Sequence, residues 1–198
     1  LPMSVVTVLA AISLLLGLLF FVLLISGMLN KYRYKLRVKE LFFEDLPTAF
    51  DGFKLVQLSD IHSGSFDSIK GVQKGIDLVN KQQADVILFT GDLVNNDPQE
   101  INPYIDTFRK LKADKGVYSV SGNHDYHYLS KGNETYDLLK DKHEALGFKM
   151  LNNESIIFEK EGEQITVAGV ENWGVPPFPQ FGNLDVALAK ATNFVVLM

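Results

Sequence analysis

The first thirty positions hold no charged residue, and every Lys, Arg, Asp and Glu of the 198-residue chain lies beyond them. Within residues 5–29 only Thr7, Ser13 and Ser26 interrupt a run of Leu, Val, Ile, Ala, Phe, Gly and Met. At 1.5 Å per residue such a stretch spans roughly 37 Å as a helix, enough to cross a hydrocarbon core of about 30 Å. A buried core helix and a secretory signal sequence are the competing readings. Core helices rarely run this long without a charge, and no small-residue cleavage pattern stands out near Gly27. Residues 1–30 are therefore expected to form a transmembrane helix.

Five cations follow in nine residues (Lys31, Arg33, Lys35, Arg37 and Lys39), with Tyr32 and Tyr34 among them. Basic residues flanking a membrane helix favour the cytoplasmic side, and tyrosine favours the headgroup zone. The cations also alternate with apolar or aromatic residues, a period-2 pattern that suits a strand. Residues 31–52 are expected to hold a basic juxtamembrane segment and a first strand. Setting those five cations aside, the rest of the chain carries a net charge of −10, against −5 for the whole. An acidic domain of this kind argues against nucleic acid as a partner. The absence of cysteine excludes disulfide scaffolds, zinc–thiolate modules and thiol chemistry.

From residue 53 onward, β-rich runs alternate with helical patterns. Residues 53–59, 85–90 and 116–120 read as strands. Residues 67–82, 98–112 and 134–146 read as helices, with Ile69, Val72, Ile76 and Val79 on one face of the first. The β-α-β-α-β order predicts an α/β domain with neighbouring parallel strands. Shorter strands at 148–151, 156–159 and 164–170 follow, with Glu161-Gly162-Glu163 as a hairpin tip. A proline-rich loop covers 173–179, and a short helix over 184–191 leads to a last strand. The chain starts at Leu1-Pro2 in an apolar context and stops inside that strand. It is expected to be a fragment, with residues 53–198 the N-terminal part of a larger domain.

Each of the first three strands ends in a polar cluster: Asp60-Ile61-His62, Gly91-Asp92, and Gly122-Asn123-His124-Asp125. In open α/β sheets ligands gather beyond the carboxyl ends of the strands. Strands about 4.8 Å apart let side chains from successive ends reach a common ion. Carboxylate, imidazole and amide oxygen, with no thiolate, suit divalent manganese, iron or zinc. Gly91 and Gly122 allow sharp turns out of the sheet. Asp92 stands on the middle motif, so its carboxylate could bridge an ion held by Asp60 and His62 and another held by Asn123. Singly, Asp-x-His and Gly-Asp are ordinary surface or turn signals.

Together these three clusters resemble the first signature blocks of the calcineurin-like metallophosphoesterase superfamily, in particular its bacterial membrane-associated branch. The resemblance implies a layered α/β fold, a β-sandwich flanked by helices. It implies that Asp60 and His62 ligate one metal, that Asp92 bridges, and that Asn123 ligates a second. His124 would donate a proton to the leaving group or stabilise charge, with Asp125 orienting it. The later Gly-His-x-His block of the family does not occur, which fits a truncated chain; His127 and His143 stand in other contexts, and His143 is expected on the surface of the third helix.

The implied protein is a membrane-anchored phosphoester hydrolase using two divalent cations to activate water. Its expected partners are the bilayer and a phosphoester, lipid-linked or a nucleotide-sugar pyrophosphate. Trp173, Phe178 and Phe181 are candidates to line the substrate cleft. The alternative from another class is a membrane-tethered metal-binding regulatory module without turnover.

Overall fold

The computed structural model describes residues 4–126, 133–174, 180–191 and 194–198. It divides the chain into two units, Leu1–Arg37 and Val38–Met198. In the first, helix α1 runs from Val5 to Leu29. The Ser4 hydroxyl accepts from Thr7 N at its start, and Asn30 Nδ2 donates to Ser26 O at its end. Its residues are apolar on every side, interrupted only by Thr7, Ser13 and Ser26. It thus has the length and the all-round apolar surface of a membrane span.

The second unit begins with an irregular stretch. The strand expected within residues 31–52 does not form; only a 3-10 turn, Thr48–Phe50, precedes β1 at Leu55–Leu58. Alternation alone does not make a strand, because the backbone groups need a neighbour to pair with.

Beyond this point the elements follow the expected order: α2 (Ile69–Asn80), β2 (Val86–Thr90), α3 (Ile105–Phe108), β3 (Val117–Val120), α4 (Asn133–Ala145) and β4 (Phe148–Met150). Strands β1 to β4 form one parallel sheet in sequence order, with Leu58 opposite Phe89 and Thr90 opposite Val120. Spatial order therefore matches sequence order at the three motif-bearing strand ends. The Ser68 hydroxyl caps α2 by accepting from Gly71 N, and Val72 and Ile76 are its buried face. The single helix expected over 98–112 is split into a 3-10 segment, Pro98–Tyr104, and the short α3. Pro103 lies inside it and brings no N–H to close an α-helical bond.

A second sheet has the order β5 (Glu154–Lys160), β6 (Glu163–Gly169), β7 (Val195–Leu197), with β5–β6 antiparallel and β6–β7 parallel. Glu161 and Gly162 both have positive φ at the β5–β6 tip, as a two-residue hairpin requires. The sheets pack face to face through Val86, Leu88 and Tyr118 of the first and Phe158, Ile165 and Val167 of the second, closed by Phe50 and Leu151. Alternation along β2 sends Ile87 and Phe89 the other way, Phe89 toward His143 of α4. On the second sheet, α5 (Leu184–Leu188) packs over β5 and β6. The result is an α/β sandwich with helices on its outer faces.

His143 corrects a sequence-based expectation. It is fully buried, not exposed, with Nδ1 2.9 Å from Ser119 Oγ and its ring near Phe89 and Phe148. Leu139, His143 and Leu146 share one helical face, a spacing readable as core; only the polarity of histidine argued otherwise.

Candidate metal centre

The three motifs converge because the β-ladder does not stop where the strands do. Asp60 N donates to Gly91 O at 3.1 Å, His62 N to Asp92 O at 3.0 Å, and Ser63 N to Leu93 O at 3.0 Å. To keep these bonds while turning out of the sheet, Asp60, His62 and Asp92 take left-handed backbone, with φ of 52°, 45° and 59°. Such conformations cost of order 1 kcal/mol or more each in non-glycine residues, and they concentrate where geometry matters more than local comfort.

Two glycines make the approach possible. A Cβ on Gly91 would lie 2.7 Å from Gly122 Cα, and one on Gly122 would collide with the Asp92 carboxylate. The two loops therefore touch backbone to backbone. Gly122→Ala is expected to cost about 1–3 kcal/mol through overpacking and to displace the Asp92 carboxylate. Thermal unfolding together with metal titration checks this, and a variant as stable and as metal-competent as the parent would contradict the packing described.

Among the described residues, one group of acidic and imidazole side chains could hold a metal: His62, Asp92 and His124, whose donor atoms lie within 4.8 Å of one another. His62 Nε2 is 3.6 Å from Asp92 Oδ2, and the two imidazole rings meet edge to face at 4.7 Å. Donors on one zinc-class ion sit at most about 4.2 Å apart, so the His62–Asp92 spacing already fits. Asp92 is only 7% exposed. Its Oδ1 accepts from His124 N at 2.9 Å, which leaves Oδ2 facing the His62 imidazole. The donor set, carboxylate and imidazole without sulfur, suits manganese, iron or zinc.

Asp60 and Asn123 reach the same rim. Asp60 is exposed, with its carboxylate taken by the Ser59 hydroxyl, and it lies outside the convergent group. Asn123 is half-buried and its carbonyl accepts from Tyr126 N. His124 joins the potential donors themselves, whereas it was expected beside the substrate.

Asp125 is placed differently from expectation. It does not orient His124: the Nδ1 of that ring lies 2.9 Å from the carbonyl oxygen of Asn95. A carbonyl only accepts, so Nδ1 carries the proton and Nε2 is the nitrogen left for the site. Asp125 turns away into the protein and accepts four backbone N–H groups: Asp92 (3.0 Å), Leu93 (2.9 Å), Val94 (3.3 Å) and Gly122 (2.9 Å). One buried carboxylate thus ties the loop after β2 to the loop after β3. Burial pushes this carboxyl up to about 7, the nearby Asp92 charge adds to the rise, and the bonds from Gly122, Val94 and Leu93 oppose it.

A second polar cluster, joining residues after β3 and β4 to Glu171 after β6, supports the rim, and no motif marks it. The Tyr126 hydroxyl donates to Glu171 Oε1 at 2.5 Å, and Asn152 joins Ser121, Tyr136 and Glu171. Burial, reinforced by Glu171, holds the Tyr126 phenol well above its ordinary pKa. Of the suggested cleft aromatics, Trp173 is 68% exposed and Phe181 packs on Tyr126. Phe178 and His127 lie outside the described residues.

A family model described as calcineurin-like phosphoesterase matches residues 53–185. An uncharacterized metallophosphoesterase of Bacillus subtilis, YkuE, is 37% identical over 41% of this chain and 29% of its own length. A zebrafish (Danio rerio) protein named transmembrane protein with metallophosphoesterase domain is 29% identical over 67% of this chain and 30% of its own. An uncharacterized metallophosphoesterase of Campylobacter jejuni is 31% identical over 57% of this chain and 29% of its own. The chain thus spans about three tenths of the length of these relatives.

Proposed function

Since the chain belongs to the calcineurin-like phosphoesterase family, we propose that the protein containing it is a metal-dependent phosphoester hydrolase tethered to a membrane. The convergence of His62, Asp92 and His124 at the carboxyl rim of the parallel sheet is the observation that carries this reading. Asp60 and Asn123, on the same rim, are proposed as further ligands once ions are present. Two divalent cations, when bound, would supply the Lewis acidity that activates water and offsets phosphoryl charge next to an otherwise acidic domain.

The remaining work falls to the protein. Asp92 holds both histidines, with Oδ2 facing the His62 imidazole and Oδ1 accepting the His124 backbone N–H. His62, fixed through its own N–H to the Asp92 carbonyl, presents Nε2 to Asp92 Oδ2. His124 keeps a proton on Nδ1 toward Asn95, so its Nε2 offers a lone pair, proposed to serve a metal ion or to take a proton from the attacking water.

Membrane association is supported by α1 and by relatives named as transmembrane proteins. The basic collar favours the cytoplasmic face. A phosphoester reached from the membrane surface, lipid-linked or a nucleotide-sugar pyrophosphate, is the substrate class proposed.

The test uses the complete protein, metal analysis, and an aryl phosphodiester with added manganese. Loss of an outer partner of a metal ligand typically costs 10–100-fold, so Asp92→Asn, which removes a direct donor, is expected to lower turnover about a hundredfold or more. Metal content should fall with it. Unchanged hydrolysis in this variant would overturn the assignment. Metal retention by the parent with no hydrolysis of any phosphoester would favour the regulatory module.

A further inference from the structure

Glu100 occupies the third position of the 3-10 segment Pro98–Tyr104 and completes a capping box with Asp97. A capping box needs this carboxylate to accept one N–H, that of the cap residue. Glu100 accepts three in succession. Its Oε2 takes Asn95 N at 2.6 Å, and its Oε1 takes Asn96 N and Asp97 N, each at 3.2 Å. The peptide unit joining Asn95 to Asn96 therefore gives its N–H to Glu100 and its C=O to His124 Nδ1. A carboxylate on one end of a peptide group polarises it and strengthens the acceptor at the other.

The neighbouring loop closes on the same carboxylate. A Cβ on Gly64 would lie 2.5 Å from Glu100 Oε2 and 3.0 Å from Asn95 Oδ1, while Asn95 Nδ2 donates to Ser65 Oγ at 3.0 Å. Gly64 and Ser65 lie two and three positions after His62. The Glu100 carboxylate thus sits between the segment that follows His62 and the segment whose carbonyl holds the His124 ring.

We propose that Glu100 is a positioning residue for His124, acting through the Asn95–Asn96 peptide to hold the imidazole with its proton on Nδ1 and its Nε2 lone pair left for the metal centre. The role of that lone pair in hydrolysis rests on the reading of the site given above; the positioning itself does not. Free histidine prefers the opposite tautomer, so the environment has to impose this one.

The test is long-range ¹H–¹⁵N correlation of the four histidines in the full chain, metal-free, in detergent micelles at alkaline pH. His124 is assigned by His124→Gln. The parent is expected to show His124 Nδ1 with a protonated-type ¹⁵N shift. In Glu100→Gln that shift should move toward the unprotonated type, and Gly64→Ala, which displaces the carboxylate without changing charge, should move it the same way. Asp97→Ala removes the acceptor for Gln99 N from the other half of the cap and serves as control. It should lower thermal stability and leave the His124 tautomer in place.

Glu100→Asp should recover part of the parent signal. A His124 shift unchanged in both Glu100→Gln and Gly64→Ala would overturn the proposal, as would an equal change in Asp97→Ala. Should Glu100→Gln fail to fold, Gly64→Ala decides the matter alone. The readout needs neither metal nor substrate, so failure of the hydrolase reading would leave this result standing.

Discussion

Asp125→Ala is expected to remove on the order of 5 kcal/mol of stability, comparable with the whole stability of many domains. The substitution leaves four backbone donors, those of Asp92, Leu93, Val94 and Gly122, without their shared acceptor. Each orphaned buried N–H costs about 1–3 kcal/mol, less where water enters the vacated space. Urea unfolding of the full chain in a mild detergent measures the loss. A carboxylate that merely oriented an imidazole would give the opposite pattern, with stability nearly intact. A destabilisation below about 1 kcal/mol would therefore rule out the clamp. Asp125→Asn should fall between the two, because its amide keeps one oxygen acceptor but points an N–H₂ at donors.

The second large effect is a pH dependence centred on His143. Burial pushes its imidazole down to about 3 from an ordinary 6.5, and no neighbouring charge contributes to that shift. Among the described residues its Nε2 is buried without a hydrogen-bond partner, and Ser119, Phe89 and Phe148 lie against the ring. Between pH 6.5 and 3 only the unfolded chain binds this proton, so the unfolded state gains as pH falls. The contribution of His143 is complete above pH 6.5 and disappears progressively on acidification, by about 1.4 kcal/mol per pH unit. At pH 3 the loss is on the order of 5 kcal/mol. Other groups titrate over the same range, Asp125 among them with the opposite sign, so the informative quantity is a difference. Unfolding free energies of the parent and of His143→Asn, taken from pH 7 to 4, should converge as pH falls. Parallel curves would show that His143 is not held neutral.

The fold was legible where side chains of opposite character alternate. Strands β1 to β3 announce themselves as apolar runs, and the helical spacing of Val72 and Ile76 sets α2 between two of them. Once consecutive parallel strands were expected, Asp60, His62, Asp92 and Asn123 had to end at one rim. Backbone partners were the part that could not be read. The acceptor for His124 is a main-chain carbonyl, and the donors to Asp125 and Glu100 are main-chain amides present at almost every residue. A carboxylate one position after an imidazole looks like its partner in sequence, yet the turn at residues 124–126 sends the two side chains to different neighbours. Glu100 had a usable signal in its Asp97-Pro98-x-Glu100 spacing, which marks a capping box, though not its link to His124.

The ladder that runs past the last strand residues, from Asp60 N to Gly91 O and from His62 N to Asp92 O, has a thermodynamic consequence for any incoming cation. Segments of this kind are ordinarily mobile until a ligand gathers them, and part of the affinity is then spent on lost chain entropy. Here the backbone that presents the donors is already fixed to its neighbour when the ion arrives, so the free energy of coordination goes into selecting among ions by size and preferred geometry.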